Sequence, residues 1–196
     1  MNQLSQTEVD EALRGVDDFI DRIGDKITGT RREQDDDETV YTVRDAQRGD
    51  CAYHIVASPD MPFCELRSTF NMVEALALNM AASEGRNQAI KQDLDDARRR
   101  IRRQAEDVDL AEVESEFRSR ISDNGIAVET ETVDGVLTSF SPTTRLFVYD
   151  EGVTISEFDT TVQTVVNAVV TGQTYLVDKY QLRDSVDDRD PSRGFA

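Results

Sequence analysis

His54 is the only histidine in the sequence, so any histidine-dependent chemistry must pass through it, and the two cysteines, Cys51 and Cys64, lie close by in the chain. A Cys–His dyad requires the thiol within hydrogen-bond reach of the imidazole. Cys51 precedes His54 by three positions, which on a strand puts the two on opposite faces. Cys64, on the return strand of a hairpin, is expected diagonally across from His54 on the same face, about 7–8 Å away between backbone positions, so that only favourable rotamers bring the pair together. A half-buried strand histidine and a packed cysteine are the preferred reading. Cys51, His54, Asp60 and Cys64 do not have a zinc spacing. The run Asp35-Asp36-Asp37-Glu38 lacks the EF-hand pattern and reads as a solvated loop. G-x-G-x-x-G, G-x-x-x-x-G-K and G-x-S-x-G are absent. No catalytic, cofactor-binding or metal-ligating residue is assigned, and the expectation is a protein without enzymatic activity.

The charge narrows the partners. Forty acidic residues against 22 basic ones, a formal net charge of −18, oppose the approach of nucleic acid or an anionic membrane surface. Lys26, Lys91 and Lys179 are the only lysines. Acid excess with lysine depletion matches the surface of a protein from a halophile's cytoplasm, where molar salt shortens the Debye length to about 3 Å and screens self-repulsion. The N-terminal residues lack a signal-peptide pattern, and no apolar run reaches the ~20 residues of a membrane span, so a soluble cytoplasmic protein with reduced cysteines is expected.

The elements that must hold these residues follow from periodicity. Ser5 with Glu8 forms a capping box, and Val9, Leu13, Val16, Ile20, Ile23 and Ile27 mark one face of a first helix to about Ile27. Residues 28–38 are polar, without an apolar period, and read as a loop. Val40 to Val43 reads as a short edge strand before the Arg48-Gly49-Asp50 turn. Cys51 to Ala57 and Phe63 to Thr69 form a hairpin around Pro59 and Pro62. Met72 to Met80 has the composition of a helix but is short. A helix opens at Ser83 or Glu84 with Ile90, Leu94, Ala97 and Ile101 inward, and its tail carries Arg98, Arg99, Arg100, Arg102 and Arg103. These arginines can pair with Asp95, Asp96 and Glu106 four residues away, leaving a self-neutralised face. Asp109 caps a helix with Leu110, Val113, Phe117 and Ile121 inward. Asp134-Gly135 is a two-residue hairpin turn, and Ser141-Pro142 is expected to end the strand after it. Arg145 to Tyr149 reads as a further strand, Asp150-Glu151-Gly152 as a turn, and Ile155, Phe158, Val162, Val165, Val169, Leu176 and Tyr180 as the stripe of a long helix. The organisation expected is one domain over 5–182 and a disordered acidic tail over 183–196.

The order helix, strands, helices, strands, long helix resembles type III secretion chaperones and the YbjN-like proteins. It is more closely similar to an archaeal family of uncharacterised proteins with that chaperone-like fold, which implies a haloarchaeon-like source. The residues carrying the likeness are Tyr53 to Pro59 with Met61-Pro62-Phe63, Met72 to Met80, and above all Phe147 to Thr154 running into Val166-Asn167-Ala168-Val169. The resemblance implies an α+β fold, an antiparallel sheet packed against N- and C-terminal helices, and makes Met72 to Met80 a strand. It also implies a protein-binding or chaperone-like factor that holds a partner polypeptide, and a homodimer. Phe63, Leu66, Met72, Leu76, Arg99 and Arg103 are the expected partner-binding residues. The alternative is a small-ligand or regulatory sensor in which the hairpin around His54 and Cys64 lines a pocket.

Overall fold

The computed structural model describes residues 4–34, 39–121, 125–149 and 153–182. Among them the chain forms five helices and seven strands, an α+β fold with antiparallel pairing. It falls into two compact units, Met1–Ser68 with Pro142–Asn167, and Thr69–Ser141 with Ala168–Ala196.

In the first unit, α1 (Gln6–Arg22) begins as its capping box requires: Ser5 Oγ accepts from Glu8 N, and Glu8 Oε2 accepts from Ser5 N at 2.7 Å. It ends earlier than the apolar period suggests. Gly24 adopts φ +80, and Asp25 N donates to Ile20 O while Gly24 N donates to Asp21 O, the paired bonds of a Schellman motif. Ile27 therefore belongs to β1 (Lys26–Gln34), which replaces the loop expected over 28–38; residues 35–38 lie outside the described residues. An edge strand needs backbone partners rather than an apolar face, and β2 (Val40–Arg48) supplies them. β2 pairs with β3 (Cys51–Ala57) on its other side, so it is an interior strand and longer than expected. β3 and β4 (Cys64–Arg67) make the expected hairpin, and β4 pairs with the end of β7 (Val136–Leu146).

One face of this sheet is filled. Val9, Leu13, Val16 and Ile20 of α1 and Phe158, Val162, Val165 and Val166 of α5 (Ile155–Lys179) cluster with Ala46, Tyr53, Ile55, Ala57, Cys64, Leu66 and Leu146. A fully buried side chain of this kind contributes about 1.5–3 kcal/mol. The α5 segment starts on a capping box, Thr154 with Glu157, whose T-x-x-E pattern is present in the sequence. The turn expected at 150–152 and the tail at 183–196 lie outside the described residues.

In the second unit, β5 (Phe70–Asn71) leads directly into α2 (Met72–Ser83), where a strand was expected. Asn71 Oδ1 accepts from Val73 N and Glu74 N, and the Met, Ala and Leu run then follows its own propensity. The turn after α2 uses Gly85 at φ +76, so α3 (Lys91–Gln104) starts later than Ser83, with Ile90 N donating to Asp93 Oδ2 at 2.7 Å. Asp109 Oδ1 accepts from Ala111 N at the start of α4 (Leu110–Ile121). β6 (Ala127–Val133) and β7 turn at Asp134 and Gly135, both with positive φ, as a type I′ hairpin demands. Pro142 does not end β7: it has no N–H to offer, and its carbonyl accepts from Ser68 N at 3.2 Å while the strand runs on to Leu146, so the separate strand expected over Arg145 to Tyr149 is instead the end of β7, and residues 147–149 are not strand.

Candidate functional site

The register of the first unit decides which chemistry is possible. Gly29 pairs with Asp45, Asp45 with His54, His54 with Arg67, and Arg67 with Thr143, so one row crosses five strands on the face opposite the helices. Asp45 Oδ1 is shared by two donors: His54 Nδ1 at 2.7 Å and Arg31 Nη1. Arg31 Nε also donates to Glu33 Oε1 at 2.6 Å, and Arg67 Nη2 lies 3.9 Å from Glu33 Oε2. Burial raises the Asp45 carboxyl, but the hydrogen bonds from Arg31 and His54 outweigh it and hold it below the usual carboxylate range. The hydrogen bonds to Asp45 and Glu33 hold the Arg31 guanidinium charge firmly in place. A Cβ on Gly29 would come within 3.2 Å of Asp45 Oδ2, so the glycine leaves room for this carboxylate.

The cysteines do not join this row. Cys64 and Leu66 face the helices while Arg67, the partner of His54, faces away, so the diagonal His54–Cys64 approach expected on one face is not formed. Cys51 and His54 lie on opposite faces, as their spacing requires. Burial pushes the Cys64 thiol up to about 12, against a weak lowering from Tyr149, and burial likewise raises Cys51 against its contact with Ser68. Neither thiol is activated. The imidazole–carboxylate pair therefore has no cysteine to act on, and a pocket lined by both His54 and Cys64 is not built. Among the described residues, no group of His, Cys, Asp and Glu converges as a cation site.

The expected partner-binding residues separate. Leu66 is fully buried in the helix-facing core, and Met72 and Leu76 are buried in the second unit, so none of the three presents a surface. Phe63 is half-buried, its ring 6.0 Å from that of Phe147 in an edge-on contact. Arg99 and Arg103 are exposed on α3. Arg99 pairs with Asp96, Arg98 with Asp95 at 3.4 Å, and Arg102 lies 3.7 Å from Asp134, so the cluster is partly neutralised at i,i+3 rather than i,i+4 spacing. A cleft beside it, lined by Val73, Ile101, Val136 and Arg98, holds about 20 Å³, the room for about one water.

Two features of the first unit were not singled out from the sequence. The outer edge of β1 pairs with no strand among the described residues. Its register with β2 is continuous from Gly29 to Gln34, and the only irregularity falls between Ile27 and Gly29. A free edge is a property of pairing, and the polar composition of 28–34 concealed the strand itself. The second feature is the buried group at the other end of β2. Arg48 Nε donates to Asp25 Oδ1 and Oδ2 at 2.9 and 3.0 Å, and Tyr53 Oη donates to Asp25 Oδ2 at 2.8 Å. Arg48 Nη2 lies 2.8 Å from Asp159 Oδ1 without hydrogen-bond geometry, an ionic contact.

No helix among the described residues is long and apolar enough to cross a membrane. An α+β protein with an antiparallel sheet and helices at both ends of the chain is the class this architecture defines. In fold it is similar to an uncharacterized protein from Methanothermobacter thermautotrophicus, whose crystal structure aligns with a TM-score of 0.54 at 11% identity, covering 86% of this chain and 99% of that one. No family model matches the sequence, and no curated protein does either.

Proposed function

We propose that this protein is a non-enzymatic polypeptide-binding factor, chaperone-like in action, which takes an extended segment of a protein partner along the outer edge of β1. The free edge carries the reading. From Gly29 to Glu33 β1 is in regular register with β2, no strand pairs its other side among the described residues, and in an extended strand alternate N–H and C=O groups point away from the existing pairing. Exposed edges are usually blunted by proline, a bulge, charged side chains or a covering element, and the charges of Arg31 and Glu33 on β1 are taken up by each other and by Asp45. β1 contains no proline, and its bulge guards only the N-terminal end. The edge is also held ready: Arg31 is tied through Asp45 to His54, which anchors β1 to the two strands beneath it. Ordering is thus completed before a partner arrives, which lowers the entropic cost of binding. Dimerisation, where it occurs, uses the same edge and competes with the partner. The halophilic, cytoplasmic setting belongs to this reading through the charge of −18.

Proline at 30 and, separately, at 31 tests it. The N–H groups of neighbouring strand residues point to opposite sides, so one variant loses a ladder bond and the other an outward N–H, and Arg31→Ala serves as the control for the contacts to Asp45 and Glu33 that proline at 31 also removes. Affinity capture from native lysate in high salt is then compared with the wild type. The variant that keeps its thermal stability is expected to lose a stoichiometric polypeptide partner at least tenfold. Equal capture by that variant, or isolation of the wild type as a monomer carrying a metabolite and no polypeptide, refutes the proposal.

A further inference from the structure

We infer that the first unit carries a second docking surface, formed by Phe147, Phe63 and Arg145, which receives a polypeptide segment presenting an apolar side chain next to a carboxylate. Glu65 of β4 pairs with Arg145 of β7, and their neighbours Cys64, Leu66 and Leu146 point into the helix-facing core. Strand alternation therefore puts Glu65 and Arg145 on the opposite face. Phe63 lies two positions before Glu65 and Phe147 two after Arg145, and they meet there edge-on, their rings 64° apart. The Arg145 guanidinium lies 4.6 Å from the Phe63 ring centroid, a cation–π contact that orients the charge without consuming it.

Three observations identify the occupant. Phe147 is 51% exposed, although its partner ring already shields one side, so apolar surface remains for another apolar group to cover. Arg145 is exposed and makes no ion pair among the described residues, in a chain with almost twice as many acidic as basic groups. Arg44, Arg48, Arg86 and Arg99 are each paired with an aspartate, whereas Arg100 and Arg103, like Arg145, make no ion pair among the described residues; Arg145 differs from those two in its place over an aromatic ring beside an exposed one. Finally, a protein of charge −18 attracts basic segments over its whole surface and repels acidic ones. A guanidinium without an ion-pair partner among the described residues, beside an exposed aromatic, is a place where a carboxylate is welcome, so it discriminates where a basic ligand would not. Aromatic and arginine side chains are also those enriched at energetically dominant interface positions. β2 and β3 separate β4 from β1, about 14 Å at the usual strand spacing, so this surface does not depend on strand addition at the β1 edge.

The test uses the full chain and two fluorescein-labelled peptides, Gly-Asp-Leu-Phe-Glu-Gly and its amide counterpart Gly-Asn-Leu-Phe-Gln-Gly, titrated by fluorescence anisotropy in about 0.15 M KCl. Saturable binding of the acidic peptide, at least tenfold tighter than the amide form, is expected. Arg145→Ala should abolish that preference, Phe147→Ala should weaken both peptides about tenfold, and Arg99→Ala should change neither. Circular dichroism melts confirm that each variant folds. Equal binding of the two peptides, no binding of either, or an acidic preference that survives Arg145→Ala overturns the inference. None of these results bears on the proline variants of β1, so the two proposals fail separately.

Discussion

Replacing Arg48 by methionine is the most demanding test of how the first unit is held together. The Asp25 side chain is 5% exposed and that of Arg48 17%, so the carboxylate has exchanged nearly all of its water for the guanidinium and the Tyr53 hydroxyl. Tyr53 itself is fully buried, and burial together with Asp25 raises its phenol, so the hydroxyl stays a donor and cannot supply positive charge. Methionine keeps the stem of the side chain but strands the carboxylate. Removing one partner of a buried pair costs about 3–5 kcal/mol. The contact to Asp159, whose side chain is 53% exposed, adds at most about 1 kcal/mol. At roughly 2–4 °C per kcal/mol for a chain of this size, Arg48→Met should lower the melting temperature by roughly 6–20 °C. The assay is urea unfolding with a double-mutant cycle against Asp25→Leu, in which the double variant recovers at least half of the loss because no charge is left buried. The cost should persist in high salt, since a desolvated pair is poorly screened. A cost below about 1 kcal/mol, or one that disappears in molar KCl, would show that the pair behaves as an exposed one and would refute the reasoning.

Three further outcomes are expected. Gly172→Ala should destabilise the second unit: a Cβ there would lie 2.6 Å from Phe140 Cζ and 2.9 Å from Phe117 Cε2, both rings are buried, and the overpacking cost of about 1–3 kcal/mol exceeds the helix-propensity gain of about 1 kcal/mol; a stabilised variant in thermal melts contradicts this. Arg86, with the Ile90 amide, lowers Asp93 from 3.8 to about 2. A depressed folded-state pKa contributes stability that is complete above the unfolded value and lost on acidification, so the advantage of wild type over Asp93→Asn should shrink from about pH 4 to about pH 2, as followed by acid titration of unfolding. Iodoacetamide at near-neutral pH should leave Cys64 unmodified in the native protein and modify it after denaturation, because the thiol is fully buried and its pKa is pushed up to about 12; rapid native labelling read by mass spectrometry would overturn that.

Most of the helical skeleton is legible in the sequence because its determinants are local. The capping boxes at Ser5 and Thr154, the stripes Val9–Leu13–Val16–Ile20 and Phe158–Val162–Val165, and the Asp134-Gly135 turn all act over a few residues. The Met72 to Met80 segment shows the same rule from the other side: its own propensity says helix, the family resemblance says strand, and the local preference with its Asn71 cap prevails.

What the sequence by itself determined is therefore the set of helices, the hairpin at 51–67, the turn at Asp134-Gly135 with the strands beside it up to Phe140, and a formal net charge of −18. Only the tertiary structure decided that 26–34 is a strand, because a polar edge is selected by the hydrogen bonds of β2 and not by its own side chains. Register was likewise beyond reach. Side chains on a strand alternate with period two, so a shift of one residue between β3 and β4 would set Leu66 opposite His54 and bring Cys64 onto its face, where the observed register sets Arg67. That choice removes a cysteine–histidine dyad, while the registers of β1 with β2 and of β2 with β3 build the Arg31–Asp45–His54 row, and that of β4 with β7 sets Phe63, Phe147 and Arg145 on the face opposite the helices of the first unit.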